Sequence, residues 1–522
     1  MPIFVKWLDR VVVRGTVDNY PIRHILGFAG WAEREPSEAR RMELYRLAFR
    51  QGKTSQDWVV RPDLNDPYVH FRISEKFHPE RFLRIGDEIE VVVDPIRRVL
   101  MPLDRVPHWL VLSNRDCQRG WAWVPTTLRP LEECVYEDHF FLGDITEVLS
   151  VNGGPPPKRL EERPEVWPLR GGRHPSRPLA MRGTLARLLR LLGAIPGEGD
   201  RVLIKGPPES GKTRFMMELL RELKPGRYQV LVLAIGEHEP DITEYQEVAA
   251  ERGDTIVIGV PAQSSPLRRL WALERGLHWA MRKIESDGKS LVILLDSLTG
   301  AIVDPINILG TPEGVGIKTG GVNPLALDAI PIALGIARAL PDGRSVTIIA
   351  TELFRDPGDL PVVNKSRSVA RCVITLDQDA RAAGIYPPLH LGMESLRVSG
   401  QDVVFPRTMS RSTERLYGPE FARAALALNA QLGDPAHKLD RLARLIQLVE
   451  RGVDDATIFH QFGVAFGEPA APAPTPPSVG EEAEEVRPEP APAPTPPLRP
   501  AISDEKIAEM AKAFFFDEAE EE

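Results

Sequence analysis

The sequence predicts an α/β domain built on a parallel sheet, preceded by a small β-barrel and followed by a proline-rich acidic tail. Three observations support this prediction. Between residues 179 and 415, apolar runs alternate with helical stretches, as expected for parallel strands covered on both faces. Residues 1–145 contain short alternating strands and turns. Two near copies of Ala-Pro-Ala-Pro-Thr-Pro-Pro, starting at Ala471 and Ala491, cannot build a core.

Length and composition indicate a multidomain protein of the cytoplasm. A chain of 522 residues is long enough for about two to four domains. It has no run of about 18 apolar residues, so no membrane span is predicted, and its start lacks the layout of a signal peptide. The cysteines Cys117, Cys134 and Cys372 are scattered, which predicts neither a disulfide framework nor a metal site.

The negative charge is concentrated at the C-terminal end. The whole chain has a net charge of -9, and residues 468–522 alone contain 14 acidic and 4 basic residues. The remaining residues are therefore nearly neutral. A surface that binds nucleic acid must then be a local basic channel, because the body of the protein has no global positive field.

The N-terminal region, residues 1–145, has the mixture of aromatic and cationic residues expected of a barrel that binds single strands of nucleic acid. Strands are predicted at Arg10–Gly15, Asp57–Arg61 and Glu88–Asp94, with a helical stretch at 36–53. A barrel of this kind needs flat rings to stack bases and cations to follow phosphates. We expect Tyr68 and Arg81 to contact RNA. The alternative is that the aromatic residues form the barrel core. The interleaved residues are Tyr68, His70, Phe71, Arg72, Phe77, Arg81 and Phe82.

Residues 146–178 are rich in proline and glycine and are predicted to be a linker. The α/β domain, 179–415, follows. Its predicted helices include Pro240–Arg252 and Pro266–Ser286. Its predicted strands are Val202–Ile204, Gln229–Ile235, Thr255–Val260, Leu291–Leu295, Val346–Ala350 and Cys372–Leu376.

A phosphate-binding loop is predicted between the first of these strands and the next helix. Glycines let backbone N–H groups surround a phosphate, and the helix N-terminus adds partial positive charge. Lys212 is expected to reach the β- and γ-phosphates of ATP, and the hydroxyl of Thr213 to hold Mg²⁺. The alternative is a chance match in an ordinary strand–turn–helix. The nucleotide-binding residues predicted here are Gly206, Pro207, Pro208, Glu209, Ser210, Gly211, Lys212, Thr213, Arg214 and Phe215.

Two carboxylates are predicted at the same edge of the sheet. Asp296 ends the apolar strand Ser290–Asp296, where a carboxylate can hold Mg²⁺ and its waters. Glu237 follows the strand Gln229–Ile235 and could deprotonate or orient an attacking water. A solvated acidic turn is the alternative for Glu237, since four acidic residues lie between Glu237 and Glu244.

The chain resembles the bacterial transcription termination factor Rho family. The most specific match is Lys318-Thr-Gly-Gly-Val-Asn-Pro-Leu-Ala-Leu327, which is similar to the segment that leads into Rho's pore loop. Leu294–Thr299, Glu237–Thr243 and Phe82–Ile89 also resemble Rho segments. The resemblance implies a RecA-like P-loop ATPase domain, an OB or cold-shock-like barrel and a ring of six subunits. It further implies adenine stacking by Tyr386, a catalytic role for Glu237, an intersubunit role for Arg397, and RNA contacts at Lys318, Thr319, Gly320, Gly321 and Lys365.

Three positions depart from the family pattern. The phosphate loop contains Glu209 where Rho usually has a lysine, Gly300 follows Thr299 where Rho continues with arginines, and Gly316 stands at the usual pore-loop lysine. ATP binding is still expected despite these departures. Whether the chain hydrolyses ATP rapidly and moves along RNA is left open by them.

The resemblance implies an ATP-dependent RNA translocase or helicase that terminates transcription, with ATP, Mg²⁺, single-stranded RNA and RNA polymerase as cofactors and partners. A second hypothesis is a Rho-like protein that binds RNA or polymerase without translocating. A third is a RecA-like DNA ATPase or a relative of rotary ATPases.

The C-terminal part of the chain is predicted to contain a helical cap and a tail. Residues 416–466 form the cap, with helices at Lys438–Arg451 and Asp454–Phe462. Residues 467–522 form a disordered tail with a short helix at 503–516. This helix could dock on a partner or on the ring itself, and the alternative is a frayed acidic end.

Overall fold

The structure is a computed structural model that describes a large part of the chain. The described residues are 11–18, 58–65, 69–73, 77, 82–93, 97–102, 117–118, 121–126, 140–158, 174–309, 322–354, 360–398, 401–434 and 436–466.

Five strands of the N-terminal region form a closed barrel. They are β1 (Val11–Asp18), β2 (Val59–Arg61), β3 (Val69–Arg72), β4 (Glu88–Val93) and β8 (Phe140–Val151), in the order β1-β2-β3-β8-β4. Side chains along β1 alternate between the barrel interior and the outside. Val13 and Val17 are buried, whereas Val12 is exposed. The membership of this barrel in the OB or cold-shock class stays a prediction.

The last barrel strand differs from its predicted extent. β8 continues to Val151, past the predicted end of the barrel at residue 145. Its residues Ile145 and Val151 are buried and pair with Val93 and Ile89 of β4. These contacts close the barrel across a long sequence separation. The pattern of the chain near residue 145 alone does not reveal them.

Two further small sheets lie outside the barrel and the main sheet. β5 (Arg97–Pro102), β6 (Cys117–Gln118) and β7 (Trp121–Thr126) form one in the order β5-β7-β6. β16 (Met393–Val398) and β17 (Gln401–Pro406) form an antiparallel pair.

The α/β domain contains an eight-stranded sheet. Its strands are β9 (Arg201–Gly206), β10 (Tyr228–Glu237), β11 (Thr255–Pro261), β12 (Ser290–Asp296), β13 (Arg338–Ala339), β14 (Ser345–Leu353), β15 (Cys372–Thr375) and β18 (Met409–Ser410). The order is β11-β10-β12-β14-β9-β15-β18, with β13 beside β14. β13 and β18 are antiparallel to their neighbours, and the six strands predicted from the sequence form the parallel part.

Helices cover both faces of this sheet. They are α1 (Thr184–Leu191), α2 (Lys212–Glu222), α3 (Glu239–Arg252), α4 (Pro266–Ser286), α5 (Asp304–Leu309), α6 (Pro324–Leu334), α7 (Leu360–Val369), α8 (Gln378–Ala382), α9 (Thr413–Tyr417), α10 (Pro419–Leu432), α11 (Lys438–Glu450) and α12 (Asp455–Gln461). A π-helical turn, Thr299–Val303, precedes α5. None of the helices in the described ranges is long and apolar enough to cross a membrane.

The alternation of side chains along β10 divides the interior into two cores. Val230 and Val232 belong to one core, together with residues of α1, α2 and α3 and of the C-terminal helices α10–α12. Leu231 and Leu233 belong to the other, together with residues of α4 and α6. The apolar run in β10 thus reflects burial on both sides of the sheet.

The barrel packs on helix α4 through buried polar contacts. Asp18 accepts hydrogen bonds from Arg61 Nε at 2.7 Å and from Trp271 Nε1 at 3.1 Å. Glu88 accepts hydrogen bonds from Trp279 Nε1 at 3.0 Å and from Lys283 Nζ at 2.8 Å. These contacts join barrel strands to two consecutive stretches of α4 and fix the barrel against the α/β domain.

Several predicted features lie outside the described residues. They are the helical stretch 36–53, Tyr68, Arg81, the segment Lys318–Gly321 with Gly316, and the tail with its helix at 503–516. The proposed domain bounds also remain predictions.

Candidate nucleotide-binding site

The predicted phosphate loop joins the carboxyl end of β9 to the start of α2. Gly211 caps α2 with a φ of +85°, and Glu209 has a φ of +58°. A Cβ atom at Gly206 would lie 2.5 Å from Ser210 Oγ, so the loop closes tightly only with glycine there. Ser210 Oγ is buried, and no described residue forms a hydrogen bond with it. A tight loop with a buried polar atom fits a phosphate group.

The side chain of Lys212 turns back over this loop. Its Nζ donates hydrogen bonds to the carbonyl oxygens of Gly206 at 3.1 Å and Pro207 at 2.7 Å. The ammonium group is thus held at the mouth of the loop. From there it adds positive charge next to the N-terminus of α2.

Asp296 is a buried carboxylate at the end of β12, held by hydroxyl groups from three elements. Tyr245 of α3 donates a hydrogen bond to Oδ2 at 2.9 Å, and Thr351 of β14 donates one to Oδ1. Thr213 of α2 is a third hydrogen-bond partner. Burial raises the pKa of Asp296, and these hydrogen bonds and the charge of Lys212 oppose that rise.

Glu237 lies beside Asp296 at the same edge of the sheet. Their strands β10 and β12 are neighbours, with Ala234 opposite Asp296 in the parallel register. Burial and the charge of Asp296 raise the pKa of Glu237 to about 8, opposed by a hydrogen bond with Ser297 and by the charge of Lys212. A carboxylate whose pKa lies near neutrality is suited to accept a proton.

The loop after Asp296 makes a close glycine contact with the end of β10. A Cβ atom at Gly300 would lie 2.5 Å from the carbonyl oxygen of Ile235 and 3.1 Å from Cα of Gly236. A side chain at position 300 therefore requires the backbone to shift. Gly300 thus lies in close backbone contact with the end of β10, directly before Glu237.

Tyr386 lies next to the first turn of α2. Its hydroxyl donates a hydrogen bond to the carbonyl oxygen of Arg214 at 3.3 Å, and the guanidinium carbon of Arg214 is 4.5 Å from the ring centroid. Burial raises the pKa of Tyr386 to about 12. The predicted stacking residue is therefore close to the phosphate loop, with the Arg214 guanidinium over its ring.

The remaining predicted site residues lie in three different places. Lys365 lies on α7 and forms an ion pair with Asp328 of α6 at 3.6 Å. Arg397 belongs to β16, and its side chain is outside the described part of the chain. Glu209 and Pro208 are exposed at the tip of the phosphate loop.

Sequence reasoning missed Tyr245, Thr351 and Ser297. Thr351 lies on β14, which pairs with the strand of Asp296. Its position directly after the predicted strand Val346–Ala350 could have indicated a role in the site. Tyr245 gave no such signal, because it is one of several residues on the buried face of α3.

A phosphate loop at the carboxyl edge of a parallel sheet, with a buried aspartate on a nearby strand, defines a P-loop nucleotide-binding domain. Within that class, the chain is similar to proteins named transcription termination factor Rho. It is 31% identical over 216 residues to the Thermotoga maritima protein, covering 40% of this chain and 48% of the relative. It is 28% identical over 358 residues to the Mycobacterium leprae protein, covering 62% and 57%. The resemblance predicted from the sequence is confirmed.

The extent of these similarities is limited. The chain spans about half the length of the curated relatives it matches, and no protein-family model matches it. Two solved structures are more distant: a type III secretion ATPase (18% identity, 62% of this chain and 94% of that one, TM-score 0.43) and the ATP synthase subunit NeqB of Nanoarchaeum equitans (15%, 60% and 84%, TM-score 0.45). Both TM-scores are too low to assign a fold.

Proposed function

We propose that this chain is an ATP-driven RNA translocase of the Rho type, which terminates transcription in the cytoplasm by pulling on nascent RNA. The observation that supports this proposal is the meeting of Lys212, Asp296 and Glu237 at one sheet edge, in a chain similar to proteins named transcription termination factor Rho. RNA polymerase and five further copies of the chain are the proposed partners.

ATP and Mg²⁺ would be held by residues that already lie together. The phosphate loop and Lys212 would bind the phosphate groups, and Thr213 and Asp296 would supply oxygen atoms to the metal ion directly or through water. The buried Ser210 Oγ and the tight approach at Gly206 fit this role. When bound, Mg²⁺ would offset negative charge on the phosphates.

Glu237 would orient the attacking water and accept its proton. Its raised pKa of about 8 reflects burial and the nearby charge of Asp296. The Lys212 ammonium opposes that rise, and any further positive charge in the site would favour the ionised, proton-accepting form still more. Ser297 would hold the carboxylate in place through its hydrogen bond.

Arg397 and the RNA contacts complete the proposal. Arg397 of one subunit would stabilise charge on the phosphoryl group bound by the next, an effect that is large in related phosphoryl transfer. Lys318, Thr319, Gly320, Gly321 and Lys365 would contact RNA in the central channel, and Tyr68 and Arg81 would contact it on the barrel. The ion pair of Lys365 with Asp328 is exposed enough to exchange for a phosphate contact.

The experiment is a measurement of ATP hydrolysis with and without single-stranded RNA. We expect RNA to stimulate hydrolysis and Lys212→Ala to abolish it. The control is Lys224→Ala, which removes an exposed lysine just beyond the end of α2. Absence of stimulation by every RNA tested, with folded protein, contradicts the proposal.

The second candidate is a Rho-like protein that binds RNA or polymerase without translocating. The exposed acidic residue at the tip of the phosphate loop, Glu209, favours it, because a carboxylate there repels phosphate. ATP binding without turnover, and unchanged function in Glu237→Gln, would support this candidate. Competition between RNA and DNA for the protein separates both candidates from a DNA-dependent ATPase.

A further inference from the structure

Three arginines lie side by side at the sheet edge opposite the phosphate loop. Arg201 begins β9, Arg371 directly precedes β15, and Arg411 directly follows β18. Backbone hydrogen bonds connect them, from Arg371 N to Arg201 O at 2.9 Å and from Arg411 N to Arg371 O at 2.8 Å. The order of three adjacent strands therefore brings together three cations that are far apart in sequence.

These arginines line a pocket of about 430 Å³. Pro331 from α6 and Ser368 and Val369 from the end of α7 form the rest of its wall. Pockets that hold small ligands have volumes of roughly 300 to 1,000 Å³. The pocket is therefore large enough for a small ligand. The Ser368 hydroxyl also lines it and donates a hydrogen bond to the carbonyl oxygen of Lys365 at 2.7 Å.

The positive charge in this pocket is not balanced by the described part of the chain. No described residue accepts a hydrogen bond from the buried Nε of Arg201, and Asp200 is the carboxylate whose charge acts on this arginine. Asp200 is adjacent, but its oxygens accept hydrogen bonds from Gly197 N at 2.7 Å and Ser412 Oγ at 3.1 Å. It offsets at most one of the three charges.

The excess of positive charge also lowers the pKa values of nearby cationic groups. The charge of Arg371, followed by those of Arg415 and Arg201, lowers the pKa of His174. Burial and the charge of Arg371 lower the pKa of Arg201. The C-terminal end of α7 adds only a fraction of one negative charge. Like charges that line one pocket repel each other, and a bound anion would remove that cost.

We propose that the pocket lined by Arg201, Arg371 and Arg411 binds a small polyphosphate anion. Guanidinium groups match phosphate oxygens with pairs of parallel hydrogen bonds, and three of them suit a ligand with more than one phosphate group. A pocket of about 430 Å³ fits a small free ligand, whereas a continuous nucleic-acid strand needs an extended groove.

This pocket is separate from the phosphate loop. Arg201 and Gly206 are at opposite ends of β9, about 16 Å apart at the rise of an extended strand. Binding at one site therefore does not require the other. The proposal goes beyond ATP binding and translocation, and it can be tested in a protein that lacks both.

The test is isothermal titration of inorganic tripolyphosphate into the full-length Lys212→Ala protein. We expect one binding site per chain. Adding Arg371→Gln and Arg411→Gln together should weaken binding by at least about tenfold, since each charged hydrogen bond is worth that much or more. Arg423→Gln on α10, an exposed arginine outside the pocket, is the control and should leave binding unchanged.

Thermal unfolding provides the second measurement. Without tripolyphosphate, the double variant should unfold at a higher temperature than its Lys212→Ala parent, because like-charge repulsion is relieved. With tripolyphosphate, only the parent should gain stability. The proposal is overturned if tripolyphosphate does not bind, or if the double variant binds it equally well. It is also overturned if the double variant loses RNA binding and nothing else, because the arginines would then contact the phosphates of an RNA strand.

Discussion

At the residue scale, two carboxylates of different character meet at the phosphate loop. Asp296 is enclosed by the hydroxyl groups of Tyr245, Thr351 and Thr213, which is the environment of a fixed acceptor. Glu237 forms a side-chain hydrogen bond with Ser297. Burial and the charge of Asp296 raise its pKa to about 8. In the proposed function, these surroundings suit Asp296 to hold a ligand and Glu237 to accept a proton.

The first prediction concerns Glu237 and pH. Its pKa is raised in the folded chain from 4.5 to about 8. The stability that its proton provides is therefore fully present below about pH 4.5 and is lost as the pH rises through about 8. Glu237→Gln should match the wild type in urea unfolding at about pH 5 and be more stable at about pH 9. Its ATP hydrolysis should fall by about a hundredfold or more.

Glu247→Gln is the control, because Glu247 is an exposed glutamate on α3, the helix that follows β10. A wild type that gains stability relative to Glu237→Gln as the pH rises would show that the Glu237 carboxylate is not held in a buried site next to Asp296.

The second prediction concerns the buried tyrosine. Tyr245→Phe removes the hydrogen bond to Asp296 Oδ2 and should cost about 1–3 kcal/mol of stability, because a buried acceptor loses a donor. Urea unfolding measures this cost. Tyr417→Phe, which keeps its ring contact with Phe421 at a centroid distance of 5.1 Å, should change stability much less. Equal effects of the two substitutions would argue against the buried hydrogen bond.

At the scale of elements, the strands and the phosphate loop could be predicted because their signals are local. β9, β10 and β12 are buried on both faces and therefore read as continuous apolar runs. The spacing from Gly206 to Thr213 encodes a tight loop before a helix. Asp296 and Glu237 could be placed together because parallel strands end at one edge.

Contacts that depend on strand order could not be predicted from such local signals. Tyr245 reaches Asp296 from a helix whose buried face has no polar pattern. Arg201, Arg371 and Arg411 become neighbours only through the order β9-β15-β18. The barrel is closed by β8, which is far in sequence from the strands it joins.

The third prediction concerns the close approach of the loop after β12 to β10. Gly300→Ala places a Cβ atom about 2.5 Å from the carbonyl oxygen of Ile235, so the end of β10 and Glu237 must move. We expect a loss of about 1–3 kcal/mol together with slower ATP hydrolysis. At Gly154 the nearest atom to an added Cβ is 3.7 Å away, so Gly154→Ala is the control. An unchanged hydrolysis rate in Gly300→Ala would contradict the positioning role.

At the scale of the whole molecule, buried polar contacts join the barrel to the α/β domain. The salt bridge between Asp18 and Arg61, together with the Trp271 indole, forms one of them. The Cβ of a residue at Gly86, whose φ is +87°, would lie 2.5 Å from the backbone of His278. Barrel and α4 therefore approach too closely for a side chain there, and we expect them to unfold together.

The fourth prediction tests this coupling. Asp18→Asn removes the carboxylate that pairs with the buried Arg61 at 2.7 Å and should cost about 3–5 kcal/mol. The wild type should unfold in one thermal transition and this variant in two, the first being loss of the barrel. Glu90→Gln affects the exposed pair with Arg14 and should cost less than about 1 kcal/mol. Two transitions already present in the wild type would contradict a coupled barrel.

The most direct test of ATP-driven movement along RNA is displacement of a DNA oligonucleotide annealed downstream on a single-stranded RNA. The account predicts that the full-length protein releases the oligonucleotide when ATP and Mg²⁺ are present, and that Glu237→Gln binds the same RNA but releases none. Hydrolysis of ATP with no release of the oligonucleotide, under conditions in which the protein is bound to the RNA, would contradict the account.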